Sequence, residues 1–82
     1  MRPTGPRVGR AAQGGLMPIY TEDGVFLDIG ERAYNYYDRK AGVIGAQDAG
    51  AWFDFVHDDG TRAYLNGGRI CSIAFAIRKG WL

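Results

Sequence analysis

The stretch Trp52-Phe53-Asp54-Phe55-Val56-His57-Asp58-Asp59-Gly60-Thr61-Arg62-Ala63-Tyr64-Leu65 decides the fold. Residues 52–57 are aromatic-rich and free of Gly and Pro, which reads as the strongest strand of the chain. Asp58-Asp59-Gly60-Thr61 is a turn signal, so a hairpin follows. A two-residue turn at Asp59-Gly60 would set Phe55 opposite Tyr64 and Val56 opposite Ala63, and both faces would be mixed. A three-residue loop, Asp58-Asp59-Gly60, with Gly60 left-handed, shifts the pairing by one. Phe55 then faces Ala63 and Phe53 faces Leu65, while Trp52, Asp54, Val56, Arg62 and Tyr64 fall on the opposite side. A one-residue slip inverts both faces of a strand, so the register that sorts them is predicted.

Working outward, Glu31 to Tyr37 reads as a strand, Asp38-Arg39-Lys40 as a charged loop, and Val43-Ile44 as a short strand between Gly42 and Gly45. Residues 46–50 read as a loop. Ile19-Tyr20 is expected as a short strand or strap and Val25-Phe26-Leu27 as a strand start. Turns are expected at Glu22-Asp23-Gly24 and Asp28-Ile29-Gly30. Downstream, Asn66-Gly67-Gly68 is a turn and Arg69-Ile70-Cys71 starts a strand. Ser72 is a helix cap, Ile73, Ala76 and Ile77 recur at helical spacing, and Arg78 and Lys79 suit a last turn that Gly80 ends. A short helix or single helical turn over 73–79 is predicted, with Trp81 folding back onto the barrel.

Eighty-two residues make one domain with a small core. Thirteen glycines is about twice the usual share of roughly 7%, which favours short strands and turns. Residues 1–16 carry Arg2, Arg7 and Arg10 and no acid; residues 17–82 carry seven basic and nine acidic groups, a net charge of −2. The first 16 residues, rich in Pro, Gly and Arg and lacking periodicity, read as a disordered basic N-terminal segment ahead of a folded unit spanning 17–82. The preferred reading takes Met17 as the start codon, and the alternative makes the segment a basic arm. By bulk charge the folded part is not a nucleic-acid binder. One cysteine, Cys71, excludes an internal disulfide and any Cys-pair zinc site, and suits a reducing, cytoplasmic setting. No apolar run approaches the ~20 residues that span a bilayer, and no apolar segment follows the N-terminal arginines, so no membrane association is expected.

Short strands joined by glycine turns, too few for a sandwich, are best closed into a small barrel. Gly30-Glu31-Arg32-Ala33, a charged loop, Gly42-Val43-Ile44, Trp52-Phe53-Asp54-Phe55, Asp58-Asp59-Gly60 and Leu65 together resemble the Src-homology-3-like barrels, KOW-type and Tudor-type modules in particular. The match covers residues 30–70. Ala33 stands where that pattern usually has a larger aliphatic, and Asn35 would point inward beside it. The chain is also similar in character to small reading frames of bacteria and their phages. The expected fold is therefore mainly β: a small SH3-like β-barrel of about five strands with a short C-terminal helical turn. The resemblance implies a module that binds protein or RNA, or one that cages a methylated cation with Tyr34, Tyr36, Trp52 and Tyr64.

Tyr34, Tyr36, Tyr37, Trp52 and Tyr64 are the chief candidates for recognition, since each joins an apolar body to a polar tip. The binding face expected is Tyr34, Tyr36, Trp52, Arg62 and Tyr64. Arg32, Arg39, Lys40 and Arg69 flank it, interleaved with Asp38, Asp54, Asp58 and Asp59, which reads as a mixed solvated surface. His57 beside Asp58 and Asp59 is a poor metal set, because consecutive residues rarely converge on one ion. No nucleophile–base–orienter set and no phosphate loop is evident, so no enzyme, cofactor or small-molecule substrate is expected. The expected role is a binding or adaptor module recognising protein, itself or a larger assembly, through its aromatic face. Single-stranded nucleic acid is the alternative partner.

Overall fold

The computed structural model describes residues 17–48 and 50–82; the expectations for residues 1–16 lie outside the described residues. The chain runs β1 (Ile19–Tyr20), β2 (Phe26–Leu27), β3 (Arg32–Asn35), β4 (Lys40–Gln47), β5 (Phe53–His57), β6 (Arg62–Leu65), a 3-10 turn (Gly67–Arg69), β7 (Ile70–Cys71) and α1 (Ile73–Arg78). The fold is mainly β. A five-stranded antiparallel sheet in the order β6-β5-β4-β3-β7 curls strongly into half a barrel, and β1 and β2 form a separate hairpin. Among the described residues no helix is long and apolar enough to cross a membrane.

The β5–β6 hairpin has the sorted register: Phe53 pairs with Leu65, Asp54 with Tyr64, Phe55 with Ala63 and Val56 with Arg62. His57 N–H donates to Thr61 O and Gly60 N–H to His57 O, which closes a three-residue loop with Gly60 at φ 91°. The inward face builds the core from Ile19, Ala33, Ile44, Phe53, Phe55, Leu65 and Ile70. β1 caps this core: Ile19 is buried in it, and Glu22 N–H donates to Ile70 O.

Two strand expectations need correction. Val43-Ile44 is the middle of the eight-residue β4, not a short strand. Gly42 lies inside it because its neighbours come too close for a side chain, and Gly45 sits tightly against Asp54, 3.3 Å from where a Cβ would stand. A Cβ on Gly42 would sit 2.8 Å from both His57 Cα and Phe55 Cε2, and closer still to Val56 O. A register shift between Ile44 and Gln47 marks a bulge, a device that bends a strand and lets a sheet curl. The Glu31–Tyr37 strand is shorter than expected, Arg32–Asn35. Asn35 ends it by accepting hydrogen bonds from Tyr37 N–H (3.1 Å) and Asp38 N–H (3.2 Å), which turns the backbone out of the ladder.

Asn35 and His57, both buried, carry a polar chain across the inward face. Asn35 Nδ2 donates to Asp38 Oδ2 (3.1 Å) and to His57 Nε2 (3.0 Å). With Nε2 accepting, the imidazole is the Nδ1–H tautomer and donates to Thr61 Oγ1 (3.0 Å), whose hydroxyl donates to Asp59 Oδ1 (2.6 Å). Lys40 Nζ closes the chain on Thr61 Oγ1 and Asp59. This network ties the β3–β4 turn to the β5–β6 loop.

The C-terminal helix forms as its caps dictate. Ser72 Oγ accepts from Phe75 N–H, and Asp23 in turn accepts from Ser72 N–H (2.9 Å) and Oγ–H (2.6 Å). At the other end Gly80 takes φ 78°, Gly80 N–H donates to Ile77 O and Trp81 N–H to Ala76 O. That is a Schellman ending, and its usual hydrophobic clasp is present as Trp81 against Phe75. Trp81 thereby folds back onto the sheet.

Candidate functional site

The outward face of the sheet follows from the register. Tyr64 pairs with Asp54, Arg62 with Val56, Val56 with Val43, Val43 with Arg32, and Tyr34 with Ala41 and Cys71. All of these share one side. Tyr34 therefore belongs to the same face as Tyr64, but on β3, three strands across and about four residues along the sheet.

α1 divides that face. Ala76 packs with Tyr34 and Cys71 into a second small core, against which Tyr36, Ala41, Ile73 and Phe75 lean. Tyr34 is only 4% exposed, and its ring stacks on Trp81 at 5.9 Å. Tyr34 is thus a core residue rather than part of an open recognition face. Tyr36 is half-buried; its hydroxyl donates to Gly68 O, and its ring lies 6.2 Å from Trp81. Partial burial, with Glu22 nearby, pushes the Tyr36 hydroxyl above its ordinary value. The expected cage of Tyr34, Tyr36, Trp52 and Tyr64 does not assemble, because two of its rings lie under Trp81 at one end of the face and two stand at the other.

At the β5–β6 end Trp52, Arg62 and Tyr64 stand exposed on the outward face. Trp52 (39% exposed) and Tyr64 (51% exposed) stack on each other with ring centroids 5.5 Å apart and planes at 20°. Tyr64 OH donates to Asp48 Oδ2, and that hydrogen bond holds the phenol proton above its ordinary range. Arg62 is exposed beside them with no carboxylate partner among the described residues. Of the five residues expected to form one face, the structure groups Trp52, Arg62 and Tyr64 and sets Tyr34 and Tyr36 apart.

The hairpin-loop acids point different ways. Asp58 takes a bidentate pair from Arg32 (2.9 and 2.8 Å), which holds its carboxyl below the ordinary value. Asp59 is bound by the Thr61 hydroxyl and by Lys40, and its carboxyl is lowered further. His57 is already committed to Asn35 and Thr61. Among the described residues no group of His, Cys, Asp or Glu side chains converges as a metal site. Burial pushes the Cys71 thiol up, toward the protonated and unreactive form.

Two features had little sequence signal. One is an exposed aromatic pair on the β1–β2 hairpin, Tyr20 and Phe26, 5.6 Å apart. The other is the meeting of Trp81 with Tyr36 and Arg39 around one cleft; Tyr36 and Arg39 were legible as candidates and Trp81 as folding back, but the sequence does not bring the three together. Family models, curated proteins and solved structures yield no match to this chain.

Proposed function

We propose that this domain is a non-enzymatic binding module that recognises protein, itself or a larger assembly, through the Trp52–Tyr64 pair with Arg62 at its side. The observation that carries the reading is the stacked, exposed pair on a hairpin whose register is fixed from the core side. Trp, Tyr and Arg are the residues that most often anchor protein interfaces, and a pre-organised pair loses little side-chain entropy on contact. Asp48 and Asp54 lie beside these rings, which opposes a polyanion on this surface and favours protein over the nucleic-acid alternative.

The strand order supports reading the half-barrel as an SH3-like barrel. Four meandering strands are followed by a 3-10 turn, and a short last strand returns to pair with the first strand of the meander. That likeness speaks to architecture, and the binding role rests on the surface.

The test compares the full chain with Trp52→Ala and Tyr64→Ala by sedimentation over a wide concentration range, followed by affinity capture from native extract. A concentration-dependent mass, or a retained protein, that both substitutions abolish while the circular dichroism is kept is the expected result. A constant monomer mass together with capture that ignores both substitutions refutes the proposal.

A further inference from the structure

We propose that the cleft between Trp81 and the β3–β4 turn is a second binding site, separate from the Trp52 surface, that takes a nucleotide unit: a base against Trp81 and Tyr36, and a phosphate on Arg39. The cleft has a volume of about 580 Å³ and is lined by Tyr34, Tyr36, Arg39, Gly80 and Trp81. That size lies within the ~300–1,000 Å³ range of small-ligand pockets. A side-chain Cβ at Gly80 would meet nothing within 4 Å, so this wall is open.

Charge selects the ligand. Of the seven basic side chains among the described residues, Arg32 and Lys40 are paired with Asp58 and Asp59 in the hairpin loop. Four of the other five gather around these rings. Arg39 lines the cleft, Arg69 lies over Tyr37 at 4.6 Å, and Arg78 and Lys79 lie over Phe75 at 5.6 Å. Tyr37 and Phe75 in turn adjoin Tyr36 and Trp81. Asp38 and Glu22 border the cluster as two carboxylates against its four cations, which leaves the local balance positive. A methylated cation would meet these positive charges and be repelled, whereas aromatic faces ringed by cations suit a base joined to a phosphate.

The backbone adds an independent sign. Arg39 is the one described non-glycine residue with positive φ, at 60°. Glycine adopts that conformation without strain, so an arginine there sacrifices turn stability for its side chain.

The conformation also supplies a clean variant, because Arg39→Gly removes the guanidinium while easing the turn. In a Trp52→Phe background Trp81 is the sole tryptophan, and its emission reports the cleft. The full chain is titrated with an eight-residue oligothymidylate and, separately, with adenosine monophosphate. The expected result is saturable quenching of Trp81 that Arg39→Gly weakens about tenfold or more, with the melting temperature unchanged or raised. Quenching by the oligonucleotide alone assigns the site to a strand, and quenching by both assigns it to free nucleotides as well. No saturable quenching by either probe, or quenching that Arg39→Gly leaves intact, overturns the proposal. Oligonucleotide binding that leaves Trp81 emission unchanged also overturns it.

Discussion

Removing the Asn35 side chain tests the polar chain that joins the two turns. In Asn35→Ala the buried His57 Nε2 loses its donor, which costs about 1–3 kcal/mol for an orphaned polar group. The amides of Tyr37 and Asp38 lose their acceptor in the turn after β3, for about 0.5–1.5 kcal/mol more. Asp38 is exposed and recovers water. The sum, about 1.5–4.5 kcal/mol, is a large part of the roughly 4–12 kcal/mol that a domain of this size holds. His57→Phe should cost less. The new ring can keep the edge-on contact the imidazole makes with Phe55 (5.4 Å, 74°), Asn35 Nδ2 still has Asp38, and Thr61 still has Lys40 and Asp59.

The two substitutions must therefore be non-additive. With phenylalanine at 57 no imidazole is left unpaired, so Asn35→Ala then costs about 1 kcal/mol or more less than in the parent. Urea unfolding of the four proteins measures this, with equal m-values required for the comparison. A cycle that closes to within about 0.3–0.5 kcal/mol would refute the dependence of His57 Nε2 on Asn35, and with it the Nδ1–H tautomer.

Gly42→Ala forces a Cβ against the β5 backbone and the Phe55 ring, so a loss of about 1–3 kcal/mol is expected in the melting curve; an unchanged melting temperature would show that β4 and β5 can separate there. Phe53→Ala and Phe55→Ala empty fully buried positions and should cost about 3–5 kcal/mol, while Trp52→Ala should cost far less; the reverse order in denaturant would invert the assignment of faces. Partial burial raises the Asp23 carboxyl, but hydrogen bonds from Ser72 and Thr21 outweigh it, so Asp23, like Asp58 and Asp59, titrates below its ordinary value. Unfolded aspartates take up protons near pH 3.9, so the stability these groups contribute is present above about pH 4 and lost as pH falls through their folded values. Asp23→Asn and Asp59→Asn should each flatten the fall in melting temperature below pH 4; a parallel fall in both variants would disprove the linkage.

The hairpin register was legible because sorting apolar from polar side chains admits one answer, and the core is built on it. The helix at 73–78 was legible because Ser72 and Gly80 bracket it, and each makes the capping contacts its residue type favours. The length of β4 was not. Gly42 and Gly45 carry the same letter whether they mark a turn or a close approach, and only the position of β5 decides between them. The burial of Tyr34 was hidden for a related reason: alternation assigns a residue to a face, but what covers that face here comes from α1, some forty residues downstream. Asn35 was legible as an inward-pointing residue, but its pairing with His57 exists only once β3 and β5 flank β4.

The split of the outward face gives its two halves opposite electrostatics, and salt should separate them. Around Trp52 and Tyr64 the neighbouring ionic groups are Asp48, Asp54 and Arg62, so contact there is dominated by ring burial and should change little with ionic strength. Around Trp81 four cations lack carboxylate partners among the described residues, so an anionic ligand there releases counterions. The slope of log K against log salt should then be about −0.7 for each phosphate engaged, and Arg39→Gly should reduce its size by about that much. Oligonucleotide affinity read from Trp81 at 50, 100 and 200 mM salt supplies the slope, and self-association measured over the same range supplies the control. If the two respond to salt alike, the division of the face by α1 has no bearing on what the domain binds.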